Sequence, residues 1–127
     1  MDSLMEQQVG GTHYTRFAVQ PLEFGIKNRL IPVKMNVLKY VLRHPYKNGA
    51  EDLDKAIDYL KKHIHFQNYS SMDVVSHHKI GTFLYKNRIT GKYRDLVITL
   101  LRAGASSVNY EKCINIINEI KKEEYGI

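Results

Sequence analysis

Apolar residues recur at helical spacing in three separate segments of this chain, and that spacing constrains the fold more than any other feature. In the clearest run, apolar side chains follow the first at three, four, seven and eleven positions: Leu53, Ala56, Ile57, Leu60 and Ile64. Residues 93–101 and 108–120 show a similar period. A period near 3.6 residues places such side chains on one face of an α-helix. The sequence therefore predicts a mainly α-helical protein.

Prolines and turn residues divide the first half of the chain into further helices. Pro21 opens a short predicted helix, and Pro32 marks a break because the residue before a proline avoids the helical region. A second helix is predicted for residues 33–43, and the sequence "HPYKNG" after it supplies turn chemistry. We predict that this helix and the one over residues 53–64 pack as a central antiparallel hairpin through their apolar faces.

The segment of residues 72–91 fits two local structures. The sequence "VVSHHKIGTFLYKNRITGK" is compatible with a helix followed by a loop. It is equally compatible with a short β-hairpin near residues 80–92, around "ITGK". Both alternatives stay open from the sequence.

The length of the chain predicts a single compact domain of residues 1–127, long enough for one hydrophobic core. We divide it into a mobile arm, a helical core and a C-terminal helical extension, at residues 1–12, 13–67 and 70–127. No apolar run reaches the roughly 20 residues of a membrane helix, and the first residues lack a signal-peptide pattern. The expected location is the cytoplasm, without a membrane partner.

Cys113, the single cysteine, is predicted to pack in the core.

The charge of the chain favours an anionic partner, because its formal net charge is +6 and its pI is about 9.4. Lysines and arginines are spread along the sequence without a block of like charges or a zinc-finger spacing. We therefore expect a compact phosphate pocket rather than a nucleic-acid groove.

A polar stripe on the second predicted helix carries the chemistry for such a pocket: Asn36, Lys39, Tyr40 and Arg43 fall within an arc of roughly 100°. The stripe contains no acid, and all four side chains donate hydrogen bonds. Arg43 can hold two phosphate oxygens, and Lys39 supplies a point charge. Asn36 can pair with a base edge or a sugar hydroxyl, and Tyr40 can stack. The alternative is the solvated face of an ordinary amphipathic helix.

Three residues that follow extend this surface: Lys47 in the turn, and Asp52 and Lys55 on the next helix. If the two helices pair as a hairpin, their adjoining flanks enclose a small cationic cleft. Asp52 and Lys55 are three positions apart, so the alternative is that they pair with each other.

The segments "GGTHY", "QPLEF" and "NVLKYVLRHPYKNGAEDLDKAIDYL", in that order, resemble the small nucleotide kinase-like domain of tailed bacteriophages. The resemblance covers roughly residues 10–64. The matching positions are His13, Tyr14, Asn36, Lys39, Tyr40, Arg43, Lys47, Asp52, Leu53, Lys55, Ala56, Tyr59 and Leu60.

This resemblance implies a helical core that transfers a phosphoryl group to deoxynucleoside monophosphates. Its catalytic residues would be His13, Lys39 and Arg43. Its substrate-binding and phosphate-binding residues would be Tyr14, Asn36, Lys39, Tyr40, Arg43, Lys47, Asp52 and Lys55. No cofactor would be held permanently, and a nucleoside triphosphate with Mg²⁺ would serve as the phosphate donor.

Two other functions fit the same residues. The sequence lacks Gly-x-x-x-x-Gly-Lys-Ser/Thr, so a non-enzymatic protein that sequesters nucleotides or cyclic nucleotide defence signals is the main alternative. An all-α nucleoside triphosphate pyrophosphohydrolase is the second, although "EDLD" has no clear facing carboxylate pair. The histidine pairs at 63/65 and 77/78 do not predict a metal site.

We also expect a homo-oligomer. The apolar stripes on residues 93–120 exceed what one short core obviously needs. These C-terminal helices would supply the contacts between copies.

Overall fold

The computed structural model describes residues 17–66 and 74–127 and contains six α-helices, one 3₁₀ helix and no β-strand within those ranges. The helices are α1 (Pro21–Lys27), α2 (Pro32–Arg43), α3 (Ala50–Phe66), α4 (His77–Lys86), α5 (Gly91–Arg102) and α6 (Val108–Tyr125). The 3₁₀ helix, His44–Tyr46, follows α2 directly. The prediction of a mainly helical fold is confirmed. The predicted mobile arm, His13 and Tyr14 lie outside the described residues.

Of the two alternatives for residues 72–91, the β-hairpin near residues 80–92 is wrong, because this segment forms α4, a turn and the start of α5. The apolar side chains of α4 are buried at helical spacing: Ile80, Phe83 and Leu84. Ser76 caps the helix by accepting a hydrogen bond from the Lys79 amide at 3.3 Å. The sequence "ITGK", expected at the tip of a hairpin, instead leads into α5 with Thr90 as its N-cap residue.

Helices α1 and α4 end in the same kind of turn, and each turn uses an arginine where glycine is usual. After α4, the Ile89 amide donates to the Leu84 carbonyl at 2.9 Å and the Arg88 amide donates to the Tyr85 carbonyl at 3.2 Å. Arg88 has a φ of 55°, and Arg29 holds the equivalent position after α1 with a φ of 53°. These bonds satisfy carbonyls at the end of each helix, at the cost of a left-handed residue with a side chain.

One hydrophobic core joins the first and last helices. The buried face of α2 packs against α3, and α6 packs against both α3 and α5. The apolar side chains of α5 and α6 lie in this core: Leu96, Val97, Leu100, Leu101, Tyr110, Cys113, Ile116, Ile117 and Ile120. Burial also raises the pKa of the Cys113 thiol to about 12. The apolar stripes that led us to expect an oligomer are therefore accounted for within a single chain.

A buried lysine ties the beginning of α2 to the end of α5. The Lys34 side chain has no exposed surface, and its Nζ donates to the Ala103 carbonyl at 2.6 Å. Ala103 is the C-cap residue of α5, where the helix dipole favours a positive charge. This bond fixes the position of α2 relative to the C-terminal half of the molecule.

In the ranges that the structure covers, none of the helices combines the length and the apolar character needed to cross a bilayer.

Candidate functional site

Three cations surround the ring of Tyr40 on the polar side of α2. The Lys39 ammonium lies 4.6 Å from the ring centroid, the Arg43 guanidinium carbon 4.7 Å, and the Lys55 ammonium of α3 5.6 Å. The ring of Tyr59, also on α3, stacks at a centroid distance of 5.9 Å and an interplanar angle of 20°. We call these five residues the Tyr40 cluster. Helical periodicity places three of them on α2, and the packing of α3 against α2 adds the other two.

A buried carboxylate holds Arg43 in this cluster. Arg43 Nε lies 3.2 Å from Asp52 Oδ2, and its Nη2 lies 3.4 Å from Asp52 Oδ1. The Asp52 side chain is fully buried and that of Arg43 is 11% exposed. Asn48 also donates to Asp52, from its backbone amide at 3.3 Å and from Nδ2 at 3.4 Å. Asp52 is therefore placed to orient the guanidinium from behind rather than to face a ligand.

The alternative pairing of Asp52 with Lys55 is replaced by two other ion pairs. Asp52 pairs with Arg43, whereas Lys55 pairs with Glu51 at 3.8 Å. Glu51 lies one helical turn before Lys55 on α3, and both side chains are substantially exposed. An exposed pair at this distance contributes little to stability. It leaves the Lys55 ammonium able to contact a ligand on the Tyr40 side.

A cavity of about 270 Å³ adjoins the cluster between α1 and α2. Its described lining combines apolar side chains with two amides and one ammonium: Gln20, Pro21, Leu22, Met35, Asn36 and Lys39. Lys39 thus belongs both to the cavity and to the Tyr40 cluster. Asn36 lines the same cavity, whereas Lys47 is exposed on the turn before α3 and outside this lining, and the binding roles predicted for both residues stay predictions.

Sequence reasoning missed His44, which it treated only as part of a helix stop. The ring is 1% exposed, with Nδ1 2.7 Å from the Tyr125 hydroxyl and Nε2 2.8 Å from the Tyr93 hydroxyl. The Tyr93 hydroxyl donates in turn to Glu124 at 2.5 Å. Position 44 continues the buried face of α2, three residues after Val41. The sequence signal that could have identified His44 is its position on the apolar face of α2, where a histidine is expected to be buried.

Burial sets the protonation of this histidine and of its partner Tyr93. Burial lowers the pKa of His44, which outweighs the opposing effect of the Glu124 and Asp52 carboxylates. Burial, together with the hydrogen bond to Glu124, raises the pKa of Tyr93. At neutral pH both side chains are therefore uncharged.

The carboxylates of "EDLD" are each engaged with a different cation. Glu51 pairs with Lys55, Asp52 with Arg43, and Asp54 with Lys121 of α6 at 2.6 Å. Among the residues that the structure covers, no group of three or more His, Cys, Asp or Glu side chains is arranged to hold a metal ion.

A family model described as a protein of unknown function, DUF3310, matches residues 9–61, which is less than half of the chain. No curated protein and no solved structure matches the chain.

The match corrects our interpretation of the motifs. The resemblance to a nucleotide kinase-like domain of bacteriophages is wrong, because the matching family is one of unknown function and nothing links it to a nucleotide kinase. The matched residues include the polar stripe of α2 and the first part of α3, so the Tyr40 cluster lies within them. The roles expected for its side chains now depend on their geometry alone.

Proposed function

We propose that this protein binds a small phosphorylated molecule that carries a planar ring, of the nucleotide class, on the polar, partly exposed side of α2. The observation that carries the proposal is the convergence of Lys39, Arg43 and Lys55 within 5.6 Å of one tyrosine ring. Asp52 pairs with Arg43 and Glu51 pairs with Lys55, and all three cations carry N–H groups that can donate to an anion. A phosphate placed near Tyr40 gains charge-assisted hydrogen bonds from them.

The cavity between α1 and α2 supplies a place for the ring of such a ligand. Pro21, Leu22 and Met35 provide apolar surface, and the amides of Gln20 and Asn36 can pair with the polar edge of a base. Lys39 lies where the cavity meets the cluster, so a ring in the cavity places its phosphate near the cations. This arrangement also assigns a role to α1, whose residues line the cavity opposite α2.

The described lining of the cavity favours capture of the ligand over turnover. It contains amides, apolar groups and an ammonium, but neither a carboxylate nor an imidazole among the residues that the structure describes. Binding and enclosure need neither group, whereas imidazoles and carboxylates are the commonest general acids and bases of enzymes. Sequestration of nucleotides or cyclic nucleotides is therefore our first proposal, and phosphoryl transfer remains a prediction for the same experiment.

Two features of the architecture belong to this proposal. We infer that α2 and α3 run antiparallel, because only residues 44–49 connect them.

Self-association also stays a prediction. Leu22 and Ile26, one turn apart on α1 and 59% and 64% exposed, are apolar side chains that a second copy can cover. A monomer mass by light scattering would contradict self-association.

Chromatography of a mixed pool of mononucleotides and cyclic nucleotides tests the function. The pool is incubated with the purified protein, and the total solution and the protein-bound fraction are analysed separately. We expect one species to be recovered chemically intact and in stoichiometric amount from the bound fraction. Conversion of a monophosphate to a diphosphate would show phosphoryl transfer instead, and an empty bound fraction with an unchanged pool would contradict the proposal.

Replacement of Lys39 by alanine tests the site itself. Loss of a charge-assisted contact to phosphate is worth about 1.5 to 3 kcal/mol, so calorimetry should show affinity for the captured species reduced at least about tenfold. Lys61→Ala is the matched control, because it removes the same charge from an exposed position on α3 outside the cluster. Equal losses in the two variants would mean that only net charge matters.

A further inference from the structure

His44 connects parts of the molecule that are distant in sequence. Its Nε2 contacts Tyr93 at the start of α5, 49 positions away, and its Nδ1 contacts Tyr125 at the end of α6, 81 positions away. The ring stacks on Tyr93 with an interplanar angle of 11° and meets Tyr125 edge-on at 70°. The tyrosine rings thus enclose the imidazole and fix both of its nitrogens.

The hydrogen bonds fit only one arrangement of the protons on neutral His44. Tyr93 has a single hydroxyl hydrogen, which it donates to Glu124, so its oxygen accepts from Nε2–H of His44. Nδ1 then carries a lone pair and accepts from the Tyr125 hydroxyl. Each group donates to the next, in the order Tyr125, His44, Tyr93, Glu124.

We propose that His44 is a proton-sensitive latch that holds the C-terminal end of α6 against the end of α2, and that protonation of its ring releases that end. A second proton on Nδ1 converts the acceptor that Tyr125 uses into a donor, so the bond donated by Tyr125 is lost and Tyr125 keeps the contact only by turning its hydroxyl to accept. It also places a full positive charge on a ring that is shielded from water, which is costly. Because Tyr125 is the last residue of α6, fraying of one terminal turn is enough to hydrate the imidazolium.

Other charged groups near the ring set the strength of the latch. Glu124 Oε2 lies 3.6 Å from Nε2 and favours the imidazolium, as does the charge of Asp52 on α3. Arg43 of α2 neutralises Asp52 through their ion pair, and Tyr93 is uncharged. Burial outweighs these carboxylates and lowers the pKa of His44, so the latch is closed at neutral pH and opens on acidification.

Amide hydrogen exchange, read by mass spectrometry on the full chain, tests the latch. A transition linked to one proton increases the open fraction up to about tenfold for each pH unit below the unfolded pKa. Between about pH 7.5 and 5.5, we therefore expect exchange in the last turn of α6 to rise, by at most about tenfold, beyond its intrinsic pH dependence. Unchanged protection of this turn over that interval would overturn the proposal.

Three variants distinguish the effect of His44 protonation on exchange from other effects of low pH. In His44→Asn the side-chain oxygen can still accept from Tyr125 but does not titrate, so the pH step should disappear while the turn stays protected. Tyr125→Phe removes the donor and should speed exchange of this turn already at neutral pH. His78→Asn, at an exposed position on α4, should retain the full step. Persistence of the step in His44→Asn would overturn the latch.

The His44→Asn variant could fail to fold, and a measurement on the unaltered protein covers that case. In nuclear magnetic resonance spectra the ring protons of His44 should titrate below the ordinary pKa range of histidine. They should also shift together with the Tyr125 signals. An ordinary pKa for His44 would contradict the proposal. Tyr125 signals that do not shift together with those of His44 would also contradict it.

Discussion

Asp52 shows how a single side chain can serve a binding surface without reaching it. Its carboxylate is fully buried and accepts hydrogen bonds from Arg43 and Asn48. Burial of an unpaired charge is costly, and the pair with Arg43 compensates for it. The same pair fixes the direction of the guanidinium toward Tyr40. At the scale of residues, stability and preparation of the site therefore depend on the same contact.

Substitution of Asp52 by asparagine should expose this dependence. The variant leaves Arg43 partly buried beside a neutral group, and loss of one partner from a buried ion pair lowers the free energy of unfolding by about 3 kcal/mol. Urea denaturation measures the effect. Asp58→Asn is the control, since Asp58 pairs with Lys62 on the exposed side of α3 and its loss should leave stability nearly unchanged. Similar midpoints for the two variants would show that the Arg43–Asp52 pair does not stabilise the fold.

The helices were largely predictable from the sequence because each carries its own local signals. Periodic apolar residues identified α3, α5 and α6, and Pro32 marked the start of α2. The sequence of α4 is ambiguous because its buried residues occupy a single short stretch flanked by turn-like sequences. The spacing of residues along the sequence does not predict which helices contact one another. The partners of Asp52 and His44 are chosen by how α2, α3, α5 and α6 pack, and neither periodicity nor charge spacing encodes that choice.

The turn after α4 gives a prediction at the scale of elements. Arg88 has a left-handed backbone conformation, which costs a residue with a side chain roughly 1 kcal/mol or more relative to glycine. Arg88→Gly should therefore raise the free energy of unfolding by about 1 kcal/mol, measured by thermal denaturation. Arg94→Gly is the control, because Arg94 lies inside α5 and glycine there should lower the free energy of unfolding by about 1 kcal/mol. A loss of stability in both variants would mean that the Arg88 side chain makes a compensating contribution.

The stability of the whole molecule should depend on pH through His44. Its pKa is lowered in the folded state, so the unfolded chain binds a proton more readily. Stability is then fully present above the unfolded pKa of about 6.5 and is lost as the pH falls toward the folded pKa. The slope in this window reaches at most about 1.4 kcal/mol per pH unit.

Urea titrations at a series of pH values measure this slope. The difference between the unaltered protein and His44→Asn isolates the contribution of His44 from that of the other histidines. Parallel stability curves for the two proteins would show that His44 has the same pKa in the folded and unfolded states.

His44 belongs to the segment of residues 9–61 that the family model matches, whereas Tyr93, Glu124 and Tyr125 all lie beyond it. The same division separates α2 from α5 and α6, which complete its core. The matched segment is therefore shorter than the part of the chain that packs into one core. A protein that held residues 9–61 without α5 and α6 would need an apolar residue in place of His44, or new aromatic partners for it.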